Sequence, residues 1–332
     1  MDTIFTQESL KGFWIAFAIS AIASLPIMKL LVAMKSRQTI SEHLPGHQQK
    51  QGTPTMGGLI ILAGFLGAMP FVKTIPYVAT LWYRPTVWPM FILVLLFALI
   101  GFVDDFVIPR LMPGKRGLGW KQKILMQVVA ATIPMVMVGR GDLFVIAIGV
   151  FVILFFANAF NFADGLDGLA GTILLGMLAG MIGIMPFFHA TLQIPALPWM
   201  LFGATIPFLY WNAPKAKVFM GDVGSLPIGA FLGGYWFICT EKKVAAQIEI
   251  HNEHILVAVI IWSLMMVAEL VPVPLQIASV KLRKKKIFPY TPIHHAFEKA
   301  GWPETRVVFV FAICQAIFSM LAITVAMVFS PQ

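Results

Sequence analysis

The sequence predicts an all-α integral membrane protein, and two observations carry that prediction: its composition and its charge-free segments. Of 332 residues, 59% are apolar and only 12% are Asp, Glu, Lys or Arg. Ordinary soluble domains carry about 25% charged residues, and half that share cannot cover the surface of a chain this long. The apolar excess also excludes a disordered chain. We therefore expect one polytopic membrane domain over residues 1–332.

Charge-free runs are long enough for about ten transmembrane helices, because a spanning helix needs about 20 mostly apolar residues. Run 168–214 exceeds one helix and is interrupted by Pro186, Pro195 and Pro198, so it is interpreted as two spans. The run beginning at residue 254 passes Glu269 and is interpreted as one span. The predicted helices are 11–33, 56–72, 87–103, 121–138, 143–160, 168–185, 197–211, 226–240, 254–277 and 307–329.

Lysine and arginine in the connections predict the orientation, because these residues are enriched on the cytoplasmic side. With both termini outside, the inner connections hold 17 of the 24 basic residues and the outer segments hold 6. Lys29, the remaining one, lies near the inner end of the first helix. Membrane topology thus explains the net charge of +9, and no nucleic-acid partner is expected.

The polar residues that suggest chemistry lie almost entirely in the connections predicted to be cytoplasmic. Channels and carriers place such groups near the membrane midplane, so this arrangement indicates an active site at the cytoplasmic face. Lys50 leads into a glycine-rich turn, residues 52–58, that contains Thr55. Amides at such a helix start favour phosphate, although a threonine N-cap would explain the same residues.

Three aspartates flank the predicted third and eighth helices. Asp104 and Asp105 end the third helix, where the interaction of each negative charge with the helix macrodipole is unfavourable by about 0.3–1 kcal/mol. Binding of Mg²⁺, which prefers carboxylate oxygens, would compensate that cost. A solvated helix end, neutralised by Arg110 or Lys115, is the alternative. Asp222 adds a third acid at this membrane face, unless it only caps the helix that follows.

Further polar groups follow the fifth helix. Asn161, Asp164 and Asp167 recur every third residue and would share one face of a helical turn. A cap of the next helix would explain Asp167 but neither of the others. In the next inner connection, Asn212 can hydrogen-bond a polar head group and Phe219 can stack on a base.

Two neighbouring histidines, His294 and His295, lie in the predicted loop before the last helix. Such a pair can act as a base, as a hydrogen-bond donor to phosphate or as a metal ligand, although loop histidines are usually only polar. Together with the acids and the basic loops, they suit Mg²⁺-assisted phosphoryl transfer, which depends on positioning and charge neutralisation. One substrate would be a lipid phosphate in the bilayer and the other a soluble diphosphate.

Five motifs resemble those of the bacterial phospho-N-acetylmuramoyl-pentapeptide transferases, in the polyprenyl-phosphate N-acetylhexosamine-1-phosphate transferase superfamily. They appear in order along nearly the whole chain, all on the predicted cytoplasmic side. The motifs are GTPTMGG at 52–58, DD at 104–105, NFADGLDGLAG at 161–171, FMGDVGS at 219–225 and PIHHAFE at 292–298.

The resemblance implies a reaction and its partners. Phospho-MurNAc-pentapeptide would pass from UDP-MurNAc-pentapeptide to undecaprenyl phosphate, with Mg²⁺ as cofactor. UMP and lipid I would be the products, in the peptidoglycan synthesis that supports cell shape and division. The resemblance further implies a multi-pass protein of the bacterial cytoplasmic membrane, inhibition by nucleoside antibiotics and a homodimer.

The resemblance also implies residue roles. Asp104 matches the acid proposed as base or nucleophile, and Asp105 and Asp222 match the other essential acids. Asp222 matches the metal ligand, and Asp104 and Asp105 are expected to bind the metal with it. His294 and His295 match the first two members of a three-histidine motif. The implied substrate contacts are Lys50, Thr55, Lys121, Asn161, Asp164, Asp167, Asn212 and Phe219.

One position departs from the family pattern, and three other functions stay open. Ala296 replaces the third histidine and can neither donate to phosphate nor bind metal. A sister enzyme that transfers GlcNAc-1-phosphate to a polyprenyl phosphate would carry similar acids. A secondary transporter would use an intramembrane acid such as Glu269, which stands beside Pro272 and Pro274. An inactive membrane scaffold is the third alternative.

Overall fold

The computed structural model describes residues 6–34, 52–72, 87–112, 114–115, 117–138, 142–187, 195–238 and 253–330. These residues form helices and contain no strand. The α-helices are α1 Gln7–Ala33, α2 Gly58–Ala68, α3 Val87–Phe102, α4 Ile108–Leu111, α5 Trp120–Met137, α6 Leu143–Ala163, α7 Leu169–Ile184, α8 Ala196–Asn212, α9 Asp222–Ile238, α10 Glu253–Trp262, α11 Leu264–Leu270, α12 Pro272–Arg283, α13 Ile293–Lys299 and α14 Glu304–Val328.

The predicted all-α membrane class is confirmed. Helix occurs in each of the ten predicted segments, of which the eighth is described only as far as residue 238. Within the described ranges, six helical stretches are long and apolar enough to cross a membrane, judged by length and composition. Most of the others are shorter; α8 and α9, for example, have 17 residues each. Helix α5 has 18 residues but is not among the six, because it is less apolar. Ten crossings and external termini therefore stay predictions.

Three predicted boundaries were wrong, and each error concerns the site. The third helix does not end at residue 103, because a π turn, Val103–Val107, joins α3 to α4. The predicted ninth helix is broken at Ser263 and again before Pro272, which cannot donate a backbone hydrogen bond. The histidine motif forms the short helix α13 rather than a loop.

Helix α9 lies at the centre of the bundle and is buried along nearly its full length, where it packs against α2, α3 and α6. Small residues allow this close packing. A Cβ at Gly229 would lie 2.4 Å from the Phe156 carbonyl oxygen, and one at Gly58 would lie 2.2 Å from Gly224 Cα. Without a hydrophobic drive between helices in lipid, such backbone contact is the main source of packing energy.

The outer surface of the bundle is apolar. Large side chains such as Phe309, Ile317 and Leu125 are more than half exposed, at 66%, 57% and 65%. An exposed apolar surface of this extent would be unfavourable in water and suits lipid.

Connections that follow alternate helices meet at one end of the bundle. The Phe219 amide donates to the Pro54 carbonyl, which joins the α8–α9 connection to the segment before α2. Arg110 donates to the Met34 carbonyl at the end of α1. The Asp167 amide donates to Glu304 at the start of α14. The sequence predicts these connections on one membrane side, and the structure brings them together at one end of the bundle.

Candidate active site

Three carboxylates form the centre of this face. Asp104, Asp105 and Asp222 each offer an oxygen, and these oxygens lie within 4.8 Å of one another. The π turn holds the first two, and one extra residue per turn at such positions often marks a functional site. Asp104 Oδ1 accepts from the Leu118 amide at 2.7 Å, and Asp105 Oδ2 accepts from the Val223 amide at 3.1 Å. Backbone amides from two other segments therefore hold both carboxylates in place.

Lys123, in the first turn of α5, provides a cation among these acids. Its Nζ forms an ion pair with Asp222 and lies 3.4 Å from Asp104 Oδ2. Three carboxylates around one ammonium leave an excess of negative charge. Such a set of oxygen donors suits a hard divalent cation.

Asn161, at the end of α6, holds Asp222 from the other side. Its Nδ2 lies 2.7 Å from Asp222 Oδ1 and 2.8 Å from Ser225 Oγ. Both contacts are within the protein, so the predicted substrate contact of Asn161 would have to be made beside them. One turn deeper, Gln127 and Asn158 exchange hydrogen bonds through their amides.

Gly221 allows the acids to approach the α8–α9 connection. Its φ is +72°, and a Cβ there would lie 2.6 Å from both Asp105 Oδ2 and Thr55 Oγ1. Its amide donates to Asp164 Oδ2 at 3.2 Å. Burial raises the pKa of the Asp164 carboxyl well above its usual range, and the negative charge of Asp222 raises it further.

Two predicted substrate contacts instead shape the surrounding connections. Asn212 is 2% exposed; it accepts from the Gly168 amide and donates to the Val218 carbonyl. Asp167 is 3% exposed and accepts from the Ala216 amide at 2.9 Å. The alternative of a helix cap by Asp167 was wrong, because Gly168 is the N-cap of α7 and φ there is +79°. Since α6 ends at Ala163, Asp167 also leaves the helical face predicted for it.

The glycine-rich turn before α2 packs against the α8–α9 connection. The Gly57 amide donates to the Phe219 carbonyl, and Phe219 is half-buried at the edge of the site. Thr55 is buried beside Gly221. The alternative of a threonine cap was wrong, because Gly57 is the N-cap of α2 and no side chain caps it.

The lysines near the site differ in whether they contact the acid cluster. Lys50 lies outside the described residues. Lys121 is exposed, and its Nζ lies 5.6 Å from the centre of the Trp120 ring. Lys123 contacts Asp104 and Asp222, although from the sequence it was expected only to mark the cytoplasmic side. Its spacing of four residues from Gln127 was the available signal, because it gives an apolar helix a polar face.

The histidines approach the site from α13. His294 is fully buried, and a Cβ at Gly165 would lie 2.3 Å from its Nε2. His295 is partly exposed and bonds Glu298 at 2.6 Å. The two rings are 4.2 Å apart. His294 thus lies beside the Asp164–Asp167 segment, with the His295 ring next to it.

Comparisons with known proteins identify the family. Signature 1 of the phospho-N-acetylmuramoyl-pentapeptide transferases matches residues 50–62, and glycosyl transferase family 4 matches residues 87–240. The phospho-N-acetylmuramoyl-pentapeptide transferase of Staphylococcus carnosus (strain TM300) is 32% identical over 93% of this chain and 96% of its own length.

The proteins of the same name from Halalkalibacterium halodurans and Clostridioides difficile are 33% and 32% identical, each over 93% of this chain. The aligned regions cover 94% and 95% of the lengths of these two proteins. Similarity of this extent includes every segment that contributes to the acid cluster. The chain belongs to the phospho-N-acetylmuramoyl-pentapeptide transferase family.

Proposed function

We propose that this protein transfers phospho-MurNAc-pentapeptide from its UDP carrier to undecaprenyl phosphate, giving lipid I and UMP in peptidoglycan synthesis. A bond forms between an oxygen of the lipid phosphate and the phosphorus attached to the sugar, and the bond from that phosphorus to UMP breaks. The acid cluster around Lys123, at one end of an apolar bundle, is the observation that carries this proposal. It places charge for two phosphorylated substrates at a membrane boundary.

Asp104, Asp105 and Asp222 would hold Mg²⁺, and their donor set fits it because carboxylate oxygens are the ligands that this ion prefers. When bound, the ion would neutralise charge on the phosphates. The remaining work belongs to the protein. Asn161 orients Asp222, and the Leu118 and Val223 amides orient the other two acids.

Lys123 supports the same reaction in a different way. Its ammonium lies between Asp104 and Asp222 and can turn towards a phosphate oxygen while it stays near the acids. A preorganised cation stabilises charge that develops in the transition state without reorganising solvent. Half-buried Phe219 and the glycine-rich turn lie at the edge where the nucleotide would bind.

An apolar groove of about 340 Å³ between α3 and α5 would take the start of the polyprenyl chain. Its lining includes Ile100 and Met126, and the same helices carry Asp104 and Lys123 one turn farther on. A lipid phosphate in this groove would place its charged end at the acids and its tail towards the bilayer.

We assign the acid cluster to the cytoplasmic side of the bacterial cytoplasmic membrane. The connections that meet at this end of the bundle are those that carry most of the Lys and Arg residues. A soluble UDP-linked substrate made in the cytoplasm would reach the site directly from that side.

Purified protein in detergent should release UMP when it is given undecaprenyl phosphate and UDP-MurNAc-pentapeptide. EDTA should stop the reaction and Mg²⁺ should restore it. The variants Asp104→Asn, Asp105→Asn and Asp222→Asn should insert into the membrane but lose transfer. Near-normal transfer by all three would contradict the mechanism.

The GlcNAc-1-phosphate transferase is the alternative that the same assay separates. Turnover of UDP-GlcNAc, without turnover of the muramoyl-pentapeptide substrate, would favour the sister enzyme. The transporter alternative rested on Glu269, and that carboxylate is bonded to His294. Membership of a transferase family leaves the transporter and scaffold alternatives without support.

A further inference from the structure

A buried acid–histidine pair lies beside the acid cluster but outside it. Glu269, in α11, and His294, in α13, are both 0% exposed, and Glu269 Oε2 lies 2.8 Å from His294 Nδ1. Removing a carboxylate from water costs several kcal/mol in real proteins, so a pair that serves packing alone is often replaceable by apolar residues. The presence of Glu269 in an apolar segment therefore requires a further reason.

The atoms that this pair leaves free point to that reason. His294 Nε2 is buried and has no hydrogen-bond partner among the described residues, and the same is true of Glu269 Oε1. Buried polar atoms are nearly always paired, so an orphaned ring nitrogen marks a place where a partner is expected. The Nε2 edge of the ring lies against Gly165, between Asp164 and Asp167.

We propose that Glu269 is a positioning residue that fixes the tautomer and orientation of His294 for the substrate. An ionised carboxylate only accepts hydrogen bonds, so in the proposed arrangement Nδ1 carries a hydrogen and donates a hydrogen bond to Glu269. Nε2 then faces the Gly165 segment, where it can accept a hydroxyl proton from the substrate or, when protonated, donate to a phosphate oxygen. This inference rests on the proposed transferase function and extends it to a residue outside the motifs.

The hydrogen bond between Glu269 and His294 also holds α13 against α11. Glu269 lies two residues before Val271, where the chain breaks between α11 and α12. Helix α13 begins after the basic connection that follows α12. The groups that face His294 from neighbouring elements are Glu269, His295 and the Asp164–Asp167 segment.

Steady-state transfer kinetics of Glu269→Gln and His294→Asn, with the double variant, test the proposal. Each single change should lower kcat by about 10–100-fold, the range typical of losing the partner that orients a metal-binding histidine. KM for both substrates should change little. The double variant should be no slower than His294→Asn, because Glu269 acts through that ring.

Two further variants keep the test decisive if Glu269→Gln folds poorly. Glu269→Asp keeps the charge but draws the carboxylate back by about 1.5 Å, one carbon–carbon bond, and should be intermediate. Gln315→Leu removes another fully buried polar side chain, bonded to the Trp262 carbonyl, and should lower thermal stability but not kcat.

Multiplied effects in the double variant, or wild-type kcat in Glu269→Asp and in folded Glu269→Gln, would overturn the proposal. Wild-type protein with no UMP release from UDP-MurNAc-pentapeptide would instead count against the proposed function. The two failures are therefore distinguishable.

Discussion

At the scale of single residues, Lys123 is the feature that most changes the picture of the site. Aspartates are easy to find in this chain because so few charges are present. A lysine near a cytoplasmic helix end is expected in any membrane protein, so its contact with Asp104 and Asp222 was not predictable from position alone. Its role depends on how α5 is rotated in the bundle, which tertiary packing decides.

Lys123→Met should lower kcat by about 100-fold or more, because one preorganised charge at a reacting phosphate is lost. Lys11→Met is the control. It removes a lysine that lies 3.8 Å from Glu8 near the start of α1, at the other end of the bundle. Transfer assays on both proteins give the comparison, and near-normal turnover of Lys123→Met would show that the acids do not need this cation.

Gly221→Ala should abolish transfer and lower the melting temperature in detergent. The new Cβ would collide with Asp105 and Thr55, and φ of +72° is strained for alanine. Gly301→Ala separates the two effects. Gly301 has φ of +87° with nothing within 4 Å of a Cβ, so this variant should lose about 1–2 kcal/mol from strain alone and stay active. If both variants lost activity and stability to the same extent, backbone strain alone would explain the effect of Gly221→Ala.

At the scale of elements, the sequence predicts where helix occurs far better than where helices bend. The apolar runs are long, so helix occurs in each predicted segment. The π turn, Val103–Val107, has no such signature, because it depends on the packing of α3 against α9. Asp104 and Asp105 therefore lie within a continuing helix and not at the helix end that was expected to make them unfavourable.

The groove between α3 and α5 gives a prediction about the lipid substrate. Val129→Trp should fill the groove and raise KM for undecaprenyl phosphate several-fold, with little change in KM for the UDP substrate. Val129 is 54% exposed, so the larger ring should not disturb the core. Ile313→Trp, on the lipid-facing side of α14, is a control at 43% exposure. An unchanged lipid KM in Val129→Trp would place the chain elsewhere.

At the scale of the whole molecule, the sequence predicts the grouping of the connections. Alternate connections lie on one side of any helical bundle that crosses a membrane repeatedly, and the hydrogen bonds from Phe219 to Pro54 and from Arg110 to Met34 join them here. The sequence alone did not show that Asn212 and Asp167 would be used to hold these connections to each other. Long-range hydrogen bonds of that kind follow from the assembled fold.

Single-cysteine labelling tests the orientation. In a variant with Cys239 and Cys314 replaced by alanine, a membrane-impermeant maleimide should label Lys115→Cys only from the cytoplasmic side. Ser330→Cys should be labelled only from the outside. Both residues are in the described part of the chain, and Lys115 is exposed. Labelling with the opposite pattern would reverse the assigned orientation.

The contact between Asp104 and Lys123 also has a consequence for biogenesis. Charged side chains raise the cost of moving a helix into the bilayer, by about 2.5–3.5 kcal/mol at its centre on insertion scales. The two residues are 19 positions apart, in the π turn after α3 and in α5, whereas Asp222 follows 99 positions after Lys123. The segment from α3 to α5 thus carries its own counter-ion as it leaves the ribosome, and one of the three carboxylates has its cation available before the central helix is translated.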